Sequence, residues 1–380
     1  MIYLDNAATT APKPLSVRQA VDYAMKHLAA NPGRSSNEIS LRASELIFDT
    51  RKKAASLFHF EHPEQVVFAL NCTHALNFVI KGCLKKGDHV IISNLEHNAV
   101  ARPIYKLQQE GQITYDVAPV ALGDEDATVS SFRSLIKQNT RMIICTHASN
   151  VTGQILPIKR LGELCRERNI TFVVDAAQTA GLIDINMKDD HIDFLCCAGH
   201  KGLYGPMGTG ILLAAKPLEK TLIEGGTGNL SSLLQQPEEL PERMESGTVN
   251  VSGIAGLNAG LKFVQSQRID RLYRNELSLI QKAFRKLSGI KGVILYAPYP
   301  KMGESVPVLS FNVGESSTQL GDYLNQRSIA VRSGLHCAPL AHRAIGTIDG
   351  GTVRISTSFF NTEQEIDRLI SAVFDYTRRK

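Results

Sequence analysis

No stretch of this sequence approaches the roughly 18 consecutive apolar residues that a membrane-crossing helix needs, so no membrane association is expected. The opening "MIYLDNAATT" has neither a basic region nor an apolar core, and it carries an acid at Asp5. It does not read as a secretory signal. Cysteine is sparse and unpatterned. Cys72, Cys83, Cys145, Cys165, Cys196, Cys197 and Cys337 are odd in number and contain no C-x-x-C. That argues against a disulfide framework or a zinc ribbon and points to a reducing, cytoplasmic setting. Most of them lie in apolar runs such as "RMIICTH" and "DFLCCAG" and read as small core residues. A strong charge of one sign is also missing. Forty-two basic against 37 acidic residues leave +5, well interspersed, so no nucleic-acid partner is expected. No G-K-[ST] occurs, which excludes a P-loop, and "GPMGTG" (205–210) does not open a helix after a strand as a dinucleotide fingerprint must. No internal repeat or low-complexity segment is evident.

The 380 residues exceed what one compact domain usually holds, so a large and a smaller domain are expected. Short β-rich runs recur at "QVVFAL" (65–70), "HVIIS" (89–93), "RMIICTH" (141–147), "ITFVVDA" (170–176), "IDFLCCA" (192–198) and "GILLAA" (210–215), with helical periodicity between several of them, as in 158–168. Apolar strands alternating with helices predict a mostly parallel sheet covered on both faces. After about Gly253 the texture changes. Helical stretches over 253–288 and 363–378 flank strands near 293–296, 307–312, 328–331 and 352–356, which suggests a second α+β layer.

Polar groups cluster where strands end, the place where open α/β sheets bind ligands. After Leu70, the residues Asn71, Cys72 and Thr73 open a helix. Free N–H groups and the positive end of the dipole make a phosphate seat there, though an ordinary N-cap would read the same way. "TFVVDAAQTAG" ends a strand in Asp175, and "CCAGHKGLYGPMGTG" ends another and sets His200 and Lys201 in a Gly-rich loop. A lysine and a carboxylate at two strand ends suit pyridoxal 5′-phosphate, which needs a lysine to hold it covalently and an acid at its ring nitrogen. A structural salt bridge beside a surface loop is the alternative. "VRSGLHCAPLAH" (331–342) reads as a loop displaying the thiol of Cys337, since Gly334 loosens the backbone and Pro339 resists helix. A metal site at His336, Cys337 and His342 is not expected, for want of a fourth ligand.

The segments "YLDNAATT" (3–10), "LEHNAV" (95–100), "SNVTGQILPI" (149–158), "VVDAAQTAG" (173–181), "CAGHKGLYGPMGTGIL" (197–212), "ESGTVN" (245–250) and "VRSGLHCAPLAH" resemble the blocks of the class V aminotransferase family, in that family's order. Within it they resemble the cysteine desulfurases. The compact segment around Cys337 is similar to group II, which includes selenocysteine lyase-like enzymes. The resemblance spans nearly the whole chain. It implies the fold type I architecture of pyridoxal-phosphate enzymes, with a large seven-stranded domain over 15–250. Residues 1–14 and 251–380 would then form a smaller domain carrying the cysteine loop, and the assembly would be a homodimer.

The same resemblance implies residue roles. Lys201 matches the lysine that holds the cofactor, Asp175 the acid at its ring nitrogen, Gln178 the residue bonded to the ring oxygen, and His97 the histidine stacked on the ring. Thr73 and His200 match phosphate ligands, and Thr248 the ligand reaching in from the second subunit. Asn150 matches a substrate-side asparagine, Arg354 the arginine gripping the substrate carboxylate, and Arg332 lies near the same pocket. Cys337 matches the cysteine that takes the sulfur as a persulfide. Two positions depart from the pattern. Asn37 replaces a usual histidine, which bears on substrate access. Cys72 replaces a small hydroxyl or glycine, which bears on the phosphate site. The implied reaction converts L-cysteine to alanine and passes sulfur to an acceptor protein or thiol. Alternatives are a selenocysteine lyase, another class V transaminase or racemase, or a scaffold that has lost turnover.

Overall fold

The computed structural model describes residues 1–33, 37–228, 231–314 and 316–379. The first half runs β1 (Ile2–Tyr3), α1 (Leu15–His27), α2 (Glu38–Leu57), β2 (Val66–Ala69), α3 (Cys72–Cys83), β3 (Asp88–Ser93), α4 (Asn98–Gln109), β4 (Ile113–Ala118), α5 (Glu125–Ser134), β5 (Thr140–Thr146) and α6 (Ile158–Glu167). Then come β6 (Thr171–Asp175), β7 (Phe194–Ala198), β8 (Gly210–Ala214), α7 (Val251–Gln267) and α8 (Ile269–Ser288). The chain ends with β9 (Val293–Leu295), β10 (Val308–Val313), α9 (Ser317–Gln326), β11 (Ile329–Ala330), β12 (Arg332–Gly334), α10 (Pro339–Ala344), β13 (Thr352–Ser356) and α11 (Glu363–Thr377).

A seven-stranded sheet has the order β2-β8-β7-β6-β5-β3-β4. Only β8 runs antiparallel to its neighbours, β2 and β7. Alternate residues feed opposite faces. Ile143, Cys145, Phe172, Val174, Leu195 and Cys197 pack in one core, while Met142, Ile144, Val173, Phe194 and Cys196 pack in the other. Two covered faces explain why these strands read as continuous apolar runs. Each such buried side chain contributes on the order of 1.5–3 kcal/mol. Six cysteines are buried and Cys337 alone is exposed.

A separate core joins Ile2 and Leu4 to β10, β13 and residues of α8, α9 and α11. The sheet here is antiparallel, β12-β13-β10-β9, and β1 pairs in parallel with β11. Helix α7 packs its Leu257, Leu261 and Val264 into the core of the large sheet, and its Ala255 packs against Ala24 and Ala43 of α1 and α2.

Three sequence expectations need correction. The helical stretch 253–288 is two helices, broken at Arg268, whose φ of +65° is left-handed. Strand β4 was not expected. It is an edge strand pairing only with β3, so its "ITYDVA" carries exposed and half-buried polar residues instead of an apolar run. Pro339 does not bar a helix; it opens α10, where its missing N–H would have been unpaired anyway.

Candidate active site

Strands β5, β6 and β7 end side by side at Thr146, Asp175 and Ala198, and these three residues line one cavity of about 310 Å³. Its wall continues with Cys72 and Thr73 at the start of α3 and His97 just before α4. Gln178, His200 and Lys201 come from the loops after β6 and β7. The smaller sheet contributes Arg332 and Arg354, and the following loop adds His336 and Cys337. Asn150 closes the ring. Of the residues given a role at the cofactor, substrate or sulfur, all line this cavity except Thr248, which is exposed and lies outside it.

The loops holding Asp175 and Lys201 are locked together. A Cβ on Gly181 (φ +84°) would sit 2.3 Å from the Gly202 carbonyl oxygen, and one on Gly202 2.4 Å from that of Ala180. Neither position has room for a side chain. The His200 carbonyl is a second anchor. It accepts from the Thr9 and Thr10 hydroxyls (3.1 and 3.2 Å) and from Lys13 Nζ (2.7 Å). Burial brings Lys13 down to a pKa of about 8.

Asp175 is buried. Its Oδ1 accepts from the Ala177 N–H at 2.9 Å and from the Cys72 thiol at 3.3 Å. Cys72 therefore directs its side chain to the carboxylate, not to a phosphate position, and the departure noted in the sequence acts there. Asn37 lies away from the cavity. It is the N-cap of α2, its side chain accepting from the Ser40 N–H at 2.9 Å.

Burial lowers the Lys201 pKa; Asp175 opposes that shift and Arg354 adds to it. A lysine so placed sheds its proton more readily than a surface lysine. His97 caps α4, its Nδ1 accepting from the Ala99 N–H at 3.0 Å. That bond assigns the proton of the neutral ring to Nε2. Burial pushes its pKa down to about 4, so the ring is neutral at pH 7. His200 is likewise lowered to about 4 by burial, and its buried Nδ1 has no partner among the described residues.

Arg332 and Arg354 face each other across β12 and β13. Like charges opposite one another repel. Arg354, 2 % exposed, pairs through Nη2 with Asp5 (2.7 Å) and donates through Nη1 to the Asn150 carbonyl (3.0 Å). Its Nε is buried without a partner among the described residues, as is Asn150 Oδ1. The pair is thus an incompletely neutralised cationic surface that suits a carboxylate. Asp5, 349 residues away, was not recognised from sequence as part of this site.

Cys337 is exposed, and both it and His336 adopt left-handed φ, +56° and +50°. Two ties hold this conformation. The Asn98 N–H, in the first turn of α4, donates to the Cys337 carbonyl at 2.7 Å, and Asn150 Nδ2 donates to the His336 carbonyl at 2.8 Å. The His336 ring is hydrogen-bonded to Thr352 Oγ1 at 3.0 Å, and burial drives its pKa down to about 2. Glu96 was also missed from sequence. It is fully buried, accepts from the Thr146 N–H at 2.8 Å, and is raised by burial to about 8.

The family model for Aminotransferase class-V matches residues 2–369. Among curated relatives, a probable cysteine desulfurase of Methanothermobacter thermautotrophicus is 32 % identical, the match covering 97 % of this chain and 92 % of the relative. A cysteine desulfurase of Salmonella newport is also 32 % identical, with 98 % and 92 % covered. Among solved structures, the apo cysteine desulfurase of Thermococcus onnurineus NA1 superposes with a TM-score of 0.91 at 30 % identity, covering 100 % of this chain and 95 % of its own. The Escherichia coli cysteine desulfurase CsdA gives 0.87 at 27 % identity, with 99 % and 94 % covered.

Proposed function

Because the chain belongs to the class-V aminotransferase family, with cysteine desulfurases as relatives along its whole length, we propose that it is a pyridoxal-phosphate-dependent cysteine desulfurase. It takes L-cysteine, releases L-alanine and keeps the sulfur on Cys337. One observation carries this reading: an exposed thiol borders the same 310 Å³ cavity as a buried carboxylate, a lysine of lowered pKa and two facing arginines.

The donor set fits the cofactor. Asp175 suits a protonated ring nitrogen, and Lys201 a covalent hold. Thr73, the unpartnered His200 Nδ1 and the N-terminus of α3 suit a phosphate. When bound, the cofactor supplies an electron sink for the substrate's α-carbon. The chain's own residues do the rest. Arg354 and Arg332 hold the substrate carboxylate, with Asn150 beside them. Lys201 takes the α-proton as a general base, its lowered pKa leaving it able to do so. Neutral His97 presents Nε2–H to the cavity without adding charge. Gln178 anchors the near wall, where its Nε2 donates to the Ala7 carbonyl at 3.1 Å.

Sulfur transfer is a displacement at sulfur. The thiolate of Cys337 attacks the substrate sulfur, an S–S bond forms, and the Cβ–S bond breaks. The electron pair stays with carbon, which is protonated to give alanine, and Cys337 carries a persulfide for an acceptor protein or thiol. Thr248, exposed and outside the cavity, completes the phosphate site of a second copy in a homodimer. Residues 15–250 make the cofactor-holding domain, extended by α7, and the two ends of the chain make the smaller one.

The test is direct. Wild-type protein supplied with pyridoxal phosphate takes up about one equivalent per chain, turns yellow, and releases alanine and sulfide from L-cysteine with a thiol reductant. Lys201→Ala retains cofactor only weakly and loses activity about 10⁴-fold, the upper end for a general base. Protein that takes up no cofactor, or a Lys201→Ala variant of unchanged activity, overturns the reading.

A further inference from the structure

The buried thiol on the cavity wall has a geometry that the reaction above does not use. Cys72 is the first residue of α3, and the Asn71 side chain caps that helix by accepting from the His74 N–H at 2.9 Å. Its own N–H is therefore one of the free donors at the helix N-terminus. Its side chain turns the other way, to Asp175 Oδ1, 103 residues distant in sequence. One residue thus ties the phosphate end of the cavity to the ring end.

Asp175 Oδ1 accepts from both Cys72 Sγ and the Ala177 N–H. Its Oδ2 makes no hydrogen bond among the described residues, and the residue lines the cavity. With one oxygen doubly held, the carboxylate cannot turn about its terminal torsion, which is otherwise broad. The position of Cys72 is fixed in turn. A Cβ on Gly210 would lie 2.5 Å from the Asn71 carbonyl carbon, so the start of β8 presses directly under the start of α3.

We infer that Cys72 is a positioning residue for Asp175: its thiol fixes Oδ1 and so presents Oδ2 to the cofactor's ring nitrogen. The inference rests on the cofactor reading above and adds to it the residue that sets the acid's orientation. Cys72 acts as a donor only. Burial, reinforced by the negative charge of Asp175, raises its thiol pKa well above the usual value, so it stays protonated. No covalent step passes through it.

Three substitutions test this. Cys72→Ala removes the donor, Cys72→Ser restores one on a smaller atom, and Asp175→Asn removes the acceptor's charge. In cofactor-free protein, the infrared S–H stretch isolated by subtracting the Cys72→Ala spectrum lies at lower frequency than those of the buried thiols other than Cys145, which itself donates to the Thr146 carbonyl at 3.2 Å. It moves back toward them in Asp175→Asn. This arm does not depend on the cofactor. In loaded protein, Cys72→Ala weakens cofactor binding about tenfold, the scale of one hydrogen bond to a charged group. It also shifts the visible absorption band, whereas Cys72→Ser restores both. An undisplaced S–H band overturns the inference. So does a Cys72→Ser variant that behaves like Cys72→Ala, because packing volume alone would then explain the residue. Wild-type protein that binds no cofactor overturns the functional reading instead, and the infrared arm then decides the contact by itself.

Discussion

Cys72 and Cys337 border one cavity, one from the large sheet's helix α3 and the other from the loop after β12. Cys72 stands on the wall built by the large sheet, buried, at the first turn of a 12-residue helix, with its thiol on a carboxylate. Cys337 stands on the lip, exposed, in a left-handed conformation held by two hydrogen bonds to its own carbonyl and its neighbour's. Nucleophilic sulfur chemistry needs a thiolate and room for the incoming atom. The wall thiol has neither, since burial keeps it protonated. The lip thiol has the room, and its backbone is tied while its side chain makes no hydrogen bond among the described residues. On the proposed reading, surroundings divide two identical side chains into a donor that orients and a nucleophile that reacts.

The division between wall and lip can be pressed hardest through the two arginines. Both stand on the smaller sheet, but Arg354 is buried and tied to Asp5 and to the Asn150 carbonyl, while Arg332 opens the strand that leads to the Cys337 loop. Arg354→Ala is expected to lower kcat/KM for L-cysteine about 100- to 1000-fold, because a charge-assisted carboxylate contact is lost and Asp5 is left beside a vacated partner. Arg332→Ala is expected to cost about tenfold. Steady-state kinetics on both variants checks this, and a larger loss for Arg332→Ala would move the carboxylate grip from the buried arginine to the one beside the Cys337 loop.

A smaller effect comes from acid. His147, at the end of β5, and His336, on the lip, are buried and lowered by burial to about 3 and about 2. An unfolded histidine titrates near 6.5. Below that pH the unfolded chain binds protons that the folded chain refuses at these two rings, so their contribution to stability is whole above about pH 6.5 and falls as pH drops, while Glu96 and Glu276, raised by burial to about 8, contribute with the opposite sign. The slope is about 1.4 kcal/mol per pH unit for each histidine. Denaturant midpoints between pH 7 and 5 measure it. His147→Gln and His336→Gln should each flatten the slope by one proton; if only one does, wall and lip unfold separately.

The smallest effect lies outside both regions. Thr362 and Glu365 form a capping box at the start of α11. Thr362→Ala should cost about 1 kcal/mol of stability and leave turnover unchanged. A changed kcat would mean that the smaller core transmits strain to the lip.

The wall was more legible in the sequence than its contacts were. Asp175 ends an apolar strand run and Lys201 follows another by three residues, so a shared cofactor site was one of two readings their position allowed, and the central strands followed from their uninterrupted apolar character. The thiol–carboxylate contact of Cys72 and the Asp5–Arg354 pair did not follow, because they join residues 103 and 349 positions apart and no local pattern encodes such a distance. Glu96 was invisible for a related reason, since a glutamate beside a histidine looks like surface until the sheet closes over it. The break at Arg268 has no glycine or proline to announce it. The lip was legible as a loop with a thiol, but its ties to Asn98 and Asn150 exist only once the smaller sheet docks on the strand ends.

The most direct test of the division between the two thiols is mass spectrometry of the protein after brief exposure to L-cysteine without reductant. One added sulfur atom is expected on the peptide carrying Cys337 and none on the peptide carrying Cys72, with alanine formed in equal amount. Sulfur found on the Cys72 peptide, or alanine formed with no sulfur on Cys337, would contradict the account.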